Sequence, residues 1–282
     1  MKNRLGLPLP FVEFALEADS KHDYEPHVYS VTELLNPIRK IALYRMHRDE
    51  IETDVSDAIP ALFGTAVHAI LEGKAAGMRS EVPVSAKFKG FKVTGRIDLI
   101  DGDAIVDYKT CSASKVQKKD FRDWETQCKC YSYLLWKTTG ELIRKFRVYA
   151  IVKDWSKVKA ANSTDYPQSA VYVLERTIED SDYDYIEGYI GAKGSLVEEA
   201  LATGILPLCA DEERWKSPDK WAVYKRSTDK RAVCVCDSEE DACTAITEKC
   251  GGSGIVQFRR GECVRCKHYC ECAKWCEQGG KE

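Results

Sequence analysis

The sequence predicts an α/β fold in which helices flank a central mixed β-sheet, with a small cysteine-rich appendage at the C-terminus. Apolar and polar residues alternate from Phe91 to Leu99, and a second strand is expected from Ala104 to Lys109. Apolar residues recur at helical spacing both before and after these strands. Ten of the 13 cysteines lie from Cys209 onward, so the end of the chain has a different character.

Length and composition set the scale of the domains. With 282 residues, of which 44% are hydrophobic, the chain can bury a sizeable core. We expect an N-terminal extension over residues 1–29, a main domain over residues 30–195 and a cysteine-rich region over residues 196–282. The net charge of −3 is not typical of a chromatin protein, although a local basic patch is enough to bind DNA. No secretory signal or membrane-spanning run is evident, so we expect a soluble cytoplasmic protein without a membrane partner.

Two helices are predicted before the first strand. Residues 30–33, Ser-Val-Thr-Glu, have the spacing of a capping box. Asn36 and Pro37 then fit an N-cap followed by proline at the first helical position. A second helix is expected over residues 56–74, where apolar residues recur every three or four positions.

The two predicted strands bring acidic and basic side chains together. The turn signal Asp101-Gly102 joins them into an antiparallel hairpin. Asp107 and Lys109 are two residues apart on one strand, so both side chains point to one face, and Asp98 lies across the turn. Carboxylates at such a place suit Mg²⁺ or Mn²⁺, and a neighbouring lysine can orient or deprotonate a water molecule or offset charge on a phosphate.

The remaining elements of the main domain follow the hairpin. After a polar loop, residues 124–136 predict a helix, on which Gln127 and Tyr131 share a face because they are four residues apart. One more strand over residues 146–153 and a helix near residues 183–203 complete this domain.

Four short motifs follow one another along the chain: Gly64-Thr-Ala-Val-His68, Gly95-Arg-Ile-Asp98, Asp107-Tyr-Lys109 and Gln127-Cys-Lys-Cys-Tyr131. In this order they resemble the motifs of the RecB-like PD-(D/E)XK nucleases. The resemblance covers roughly residues 30–195, and its first part is also similar to phage-type recombination and repair exonucleases. It implies a restriction-endonuclease-like core.

The resemblance also implies a role for each matched position. The metal ion would be bound by the side chains of His68, Asp98 and Asp107 and by the backbone carbonyl of Tyr108. Lys109 would be the catalytic lysine. Gln127 and Tyr131 would position that lysine, or the DNA near the scissile phosphate.

The implied function is Mg²⁺- or Mn²⁺-dependent hydrolysis of DNA phosphodiester bonds in recombination, repair or phage DNA processing. Exonuclease activity is favoured on the resemblance alone, with linear ends or single strands of DNA as partner. The chain has no Gly-x₄-Gly-Lys-Ser/Thr motif, so any ATP-driven unwinding must come from a helicase or another recombination partner. Two alternatives stay open: a catalytically silent, metal-stapled DNA-binding or assembly subunit, and a nuclease directed at RNA. The expected setting is the cytoplasm of a bacterium or a phage-infected cell.

A second candidate metal site lies in the C-terminal tail. Its four cysteines are Cys263, Cys266, Cys270 and Cys276. Their spacing allows a [4Fe–4S] cluster or a tetrahedral Zn²⁺, and a tail without metal is the remaining alternative. Some RecB-like nucleases, including CRISPR-associated adaptation nucleases and AddB-type proteins, hold an Fe–S cluster with one cysteine before the nuclease core and three after it. Here no cysteine precedes Cys111, so either the fourth ligand is local, as Cys263 or else Cys272 or His268, or the tail does not hold that cluster.

Two basic runs are candidate DNA contacts. The first follows the catalytic strand and comprises Lys115, Lys118, Lys119 and Arg122. The second flanks the tail cysteines and comprises Arg259, Arg260 and Arg265. Cations at these positions would neutralise backbone phosphates without reading base sequence, and each run is equally compatible with a solvated surface.

Overall fold

The computed structural model describes residues 1–20 and 25–279, and the chain divides into two units after Leu206. The division falls later than the predicted boundary at residue 195, because the last helix of the first unit continues to Thr203. Residues 1–20 and 25–29 belong to the first unit and include a helix and the start of a strand, where the sequence suggested only an extension. Among the described residues, no helix is long and apolar enough to cross a lipid bilayer.

The first unit combines long strands with helices of very different lengths. Its helices are α1 (Leu9–Ser20), α2 (Val31–Leu34), α3 (Ile38–His47), α4 (Ile59–Glu72), α5 (Ala113–Lys118), α6 (Arg122–Thr139), α7 (Lys157–Asn162) and α8 (Asp180–Thr203). Its strands are β1 (Val28–Ser30), β2 (Arg79–Phe88), β3 (Phe91–Asp101), β4 (Ala104–Cys111), β5 (Lys145–Val152) and β6 (Val171–Thr177).

Within the described residues these six strands form one mixed sheet in the order β1-β3-β4-β5-β6, with β2 pairing along β3. The β1·β3 and β4·β5 pairs are parallel, and the β2·β3, β3·β4 and β5·β6 pairs are antiparallel. The predicted α/β class with a mixed sheet flanked by helices is therefore confirmed. The hairpin is confirmed as well, since Leu99 pairs with Val106 across the turn.

Several local predictions need adjustment. Ser30 caps α2 by accepting a hydrogen bond from the Glu33 backbone N–H at 3.0 Å, as the capping spacing predicts. The helix expected to begin at Pro37 begins at Ile38, because Pro37 itself keeps an extended backbone and serves as the N-cap. The strands β2 and β6 were not predicted, and the polar loop after β4 contains the short helix α5.

Strict alternation along β3 was also predicted, and it is interrupted. Val93 and Ile97 lie in the main core, but Leu99 belongs to a separate small cluster with Val106, and Ile100 returns to the main core. Residues two apart on a regular strand face the same side of the sheet. The side-chain pattern of β3 therefore changes between Ile97 and Ile100, which is where Asp98 lies.

The main core is closed by α6 and α8. The buried side of α6 includes Trp124, Tyr131 and Leu134. In the middle of α8, a Cβ atom on Gly194 would lie 2.2 Å from the ring of Phe91, so the helix reaches the sheet only with glycine at this position. The absence of a side chain there lets the helix pack closely against β3.

The second unit is built on a small antiparallel sheet. Its strands are β7 (Lys220–Tyr224), β8 (Cys234–Cys236) and β9 (Ile255–Arg259), in the order β8-β7-β9, and its helices are α9 (Glu239–Cys250) and α10 (Val264–His268). β7 and β8 form a hairpin, and α9 ends at Gly251, whose left-handed backbone terminates the helix. Val223, Ala242 and Ala245 form its buried centre between sheet and helix.

Candidate active site

His68 enters the candidate site from α4, whose first turn carries Pro60, a residue pre-organised for a helix start. Its ring faces two groups of the hairpin. Nδ1 lies 3.5 Å from Asp98 Oδ1, and Nε2 lies 3.0 Å from the carbonyl oxygen of Tyr108. The helix and the hairpin thus bring together three of the predicted metal-binding groups.

Asp98 is held by the neighbouring strand. The backbone N–H of Tyr108 donates a hydrogen bond to its Oδ2 at 2.7 Å. Burial, and then the nearby negative charge of Asp107, raise the pKa of Asp98 to about 6. Such a shift means that the carboxylate is short of compensating positive charge, which a bound cation would supply.

Asp107 is the most deeply buried acidic group of the site, with 1% of its surface exposed. Its Oδ1 accepts a long hydrogen bond of 3.3 Å from Gln127 Nε2. Its Oδ2 lies 2.8 Å from Lys109 Nζ, but accepts no well-oriented hydrogen bond from any described residue. A buried carboxylate is costly without a nearby positive charge, and the Lys109 ammonium group supplies that charge.

Lys109 is the positive partner of Asp107. Burial is the largest single influence and lowers the pKa of its ammonium group, but the charge of the Asp107 carboxylate and the hydrogen bond to it together raise that pKa by more, so the net shift is upward. In the metal-free protein Lys109 is therefore protonated. This state suits a lysine that orients water or offsets phosphate charge better than one that removes a proton.

Gln127 and Tyr131 support the acidic groups from α6. Gln127 Nε2 lies 2.9 Å from the Tyr131 hydroxyl as well as near Asp107, and burial raises the pKa of Tyr131. The Tyr131 ring packs over Gly95, where a Cβ atom would come within 2.8 Å of Tyr131 Cε1. The glycine of the second motif therefore makes room for the tyrosine of the fourth.

Glu81 on β2 is a neighbour of this site that the motifs do not indicate. One ligand atom from each of His68, Glu81 and Asp98 lies within 4.8 Å of the others. Nothing in the local sequence marks Glu81, because an acidic residue in a polar strand is common. Only the pairing of β2 with β3, which brings Glu81 near Asp98, would have revealed it.

The donor set fits a hard divalent cation. It consists of carboxylate and carbonyl oxygens with one imidazole, the ligand types that Mg²⁺ and Mn²⁺ accept. Ligand atoms about 2.1 Å from an octahedral ion lie about 3 Å from one another. His68 Nε2 and the Tyr108 carbonyl oxygen, which share a hydrogen bond of 3.0 Å, are close enough for one small ion to contact both groups.

The first basic run is partly neutralised by local acidic residues. Lys115 pairs with Asp123 at 2.8 Å, and Arg122 pairs with Asp120 at 2.8 Å. Lys118 and Lys119 are exposed at the end of α5, and Lys119 adopts a left-handed backbone that ends the helix. These two lysines are the better-placed candidates for DNA contact.

The tail residues lie on short elements of the second unit. Cys263 precedes α10, Cys266 lies within it, Cys270 follows it and Cys276 ends a short 3₁₀ turn. A Cβ atom on Gly279 would lie 3.8 Å from the Cβ of Cys266 and 3.7 Å from that of Cys276, so these two cysteines approach the same point.

The basic residues of the tail mostly contact aromatic rings. Arg259 donates a hydrogen bond to the Tyr224 hydroxyl, and Arg265 lies over the Trp215 ring with 5.1 Å to its centroid. Arg260 is exposed. The second basic run is therefore arranged around the small sheet and α10 rather than along one strand.

Comparison with known proteins supports the fold. No protein-family model matches the chain, and no curated protein has significant sequence similarity to it. The solved structure of SSO0001 is similar over 73% of this chain and 89% of its own, with 18% identity and a TM-score of 0.50. A phage-related exonuclease from Haemophilus somnus is similar over 60% of this chain and 82% of its own, with 11% identity and a TM-score of 0.37. LHK-Exo in complex with dAMP is similar over 67% of this chain and 93% of its own, with 11% identity and a TM-score of 0.38. At 18% identity, the likeness to SSO0001 shows a shared fold.

Proposed function

We propose that this protein is a Mg²⁺- or Mn²⁺-dependent DNA nuclease that acts as an exonuclease. The proposal depends on one observation: four sequence motifs from α4, β3, β4 and α6 meet at one site, with His68 beside Asp98 and with Lys109 and Gln127 beside Asp107. The preference for exonuclease activity comes from the resemblance of these motifs to RecB-like and phage-type enzymes.

The side chains divide the work of phosphodiester hydrolysis among them. His68, Asp98, Asp107 and the Tyr108 carbonyl would hold the ion, which when bound activates water and polarises the phosphate. Lys109, protonated beside Asp107, would orient the attacking water and offset negative charge on the phosphate. Gln127 and Tyr131 are positioning residues, because their hydrogen bonds keep the Asp107 carboxylate in place.

The remaining assignments complete this proposal. The tail cysteines Cys263, Cys266, Cys270 and Cys276 would bind an Fe–S cluster or Zn²⁺, and the basic residues nearby would contact DNA. The partner is DNA with free ends or single-stranded regions, with unwinding left to a separate helicase. We place this activity in the cytoplasm of a bacterium or a phage-infected cell.

Cleavage of labelled DNA tests the catalytic centre. End-labelled linear DNA and closed circular DNA are incubated with Mn²⁺ and wild type, Asp107→Ala or Lys109→Ala. We expect degradation of linear DNA from its ends by the wild type and a loss of roughly 1,000-fold or more in both variants. Asp103→Ala is the matched control, since Asp103 is exposed at the hairpin and pairs only with Lys145 among the described residues.

Other outcomes separate the alternatives. Wild-type protein that binds DNA but cleaves nothing with any divalent metal would be a silent binding subunit. Faster cleavage of an RNA copy of the same sequence would indicate an RNA-directed nuclease. If closed circular DNA is cleaved as fast as linear DNA, the exonuclease assignment is wrong, whereas the proposal of a catalytic metal centre still holds.

A further inference from the structure

Glu81 occupies an unusual position in the β2·β3 pair. On either side of it, Ser80 pairs with Leu99 and Val82 pairs with Ile97, so Glu81 and Asp98 are the two residues that lie between these pairs. In the next strand pair, Leu99 pairs with Val106, and these two residues are the chain neighbours of Asp98 and Asp107. Three carboxylates therefore follow one another across three neighbouring strands.

The backbone at Glu81 departs from ordinary strand geometry. Its φ angle is +51°, in the left-handed region that long L side chains rarely adopt. With this conformation, Glu81 interrupts the regular alternation of side chains along β2. The alternation along β3 is interrupted at the neighbouring position. As a result the Glu81 carboxylate lies within 4.8 Å of ligand atoms of both His68 and Asp98.

The charges around Glu81 leave it available to a cation. Its Oε2 lies 3.2 Å from Arg96 Nη1, but the Arg96 side chain is 68% exposed, so the pair is weak and easily exchanged. On the other side it faces the carboxylate of Asp98, and two such groups repel each other unless a positive charge lies between them. Beyond Asp98, the buried Asp107 carboxylate adds a further negative charge, which Lys109 Nζ offsets at 2.8 Å.

We propose that Glu81 is a ligand of the metal centre, binding a hard divalent cation together with His68 and Asp98. This inference rests on the proposed nuclease function and adds a carboxylate from β2 that the four motifs do not contain. Arg96 then acts as a stand-in for the cation, pairing with Glu81 when the metal is absent. A third carboxylate favours small, hard ions such as Mn²⁺ and Mg²⁺ over softer ones.

Direct titration of the full-length protein with Mn²⁺, without DNA, measures the effect. Free Mn²⁺ is followed by electron paramagnetic resonance for wild type, Glu81→Gln, Arg96→Gln and Glu141→Gln. We expect Glu81→Gln to bind Mn²⁺ roughly 10- to 100-fold more weakly. Glu141→Gln, which breaks a comparable exposed Glu–Arg pair with Arg79 at the start of β2, should bind like the wild type.

Arg96→Gln distinguishes a ligand from a structural ion-pair partner. Removal of the competing guanidinium should leave Mn²⁺ affinity unchanged or raise it. Equal losses in Arg96→Gln and Glu81→Gln would instead mean that Glu81 acts through the ion pair, and the proposal would be wrong. Thermal unfolding of each variant with and without Mn²⁺ separates a lost ligand from a lost fold, because only metal-dependent stabilisation should disappear.

The same titration separates this proposal from the function on which it depends. Wild-type affinity in Glu81→Gln, with binding lost in Asp107→Ala, would remove Glu81 from the ligand set and leave the nuclease centre standing. A wild-type protein that binds no Mn²⁺ would overturn both.

Discussion

In the first unit, the candidate site is assembled from side chains on α4, β3, β4 and α6, whereas in the second unit the candidate ligands follow one another along α10 and the adjoining turns. In the first arrangement the acidic residues and Lys109 lie on a sheet covered by the well-buried helix α6, so these side chains have little freedom, whereas α4, which carries His68, has no buried residue. The second depends on short elements with a small buried centre. A pre-organised site keeps its geometry without its metal, whereas a site on short elements commonly needs the metal in order to fold.

The largest effect expected from this difference concerns the tail cysteines. Cys266→Ser should weaken the metal binding of the tail by at least tenfold, because a hydroxyl is a poor replacement for a thiolate ligand. Metal analysis and the visible absorption of the anaerobically purified protein would measure the loss and would distinguish iron from zinc.

Cys243→Ser is the matched control, since Cys243 is exposed on α9. Metal content equal to wild type in Cys266→Ser, or reduced in Cys243→Ser as well, would contradict the assigned ligands. Wild-type protein without iron or zinc would show that the tail folds without metal, and the contrast between the two units would then disappear.

Gly95→Ala tests how rigid the first site is. The new methyl group would meet the Tyr131 ring at 2.8 Å, so we expect a loss of about 1–3 kcal/mol in the free energy of unfolding and slower DNA cleavage. Gly191→Ala on α8 is the control, because a Cβ atom there meets nothing within 4 Å. It should be neutral or stabilise the protein by up to about 1 kcal/mol. Equal urea denaturation curves for the two variants would mean that the ring moves aside freely.

The smallest effect expected is at the end of α5. Lys118→Ala should weaken DNA binding a few-fold and lower the slope of log affinity against log salt by about 0.9, as expected for one lost phosphate contact. Lys157→Ala, at an exposed lysine on α7, provides the comparison. Unchanged affinity and slope in Lys118→Ala would identify this run as a solvated surface.

The hairpin and its acidic residues were predictable because local signals agree there. A turn sequence, regular alternation and a spacing of two between Asp107 and Lys109 all point to the same arrangement. The helix carrying Gln127 and Tyr131 was predictable for a similar reason, as its apolar stripe is long and uninterrupted. Such signals lie within one element and need no knowledge of its neighbours.

Glu81 and β2 could not be found in this way. The strand contains Pro83, a residue that argues against a strand, and its position opposite β3 depends on pairing between distant residues. The left-handed backbone at Glu81 is imposed by this packing. The sequence gives no sign of it, because the position holds neither glycine nor asparagine. The extent of α8 was missed at its start for a related reason, since its capping residue is Glu179, which is an uncommon N-cap.

The contact between Gly194 and Phe91 has a consequence for how relatives of this protein should vary. Any side chain at position 194 would overlap the Phe91 ring, while glycine in a helix interior is unfavourable by about 1 kcal/mol. A lineage that regains helix stability with alanine at 194 must therefore shrink the residue at 91 as well. We expect these two positions to change together. In an alignment of relatives, no sequence should have a bulky residue at both positions.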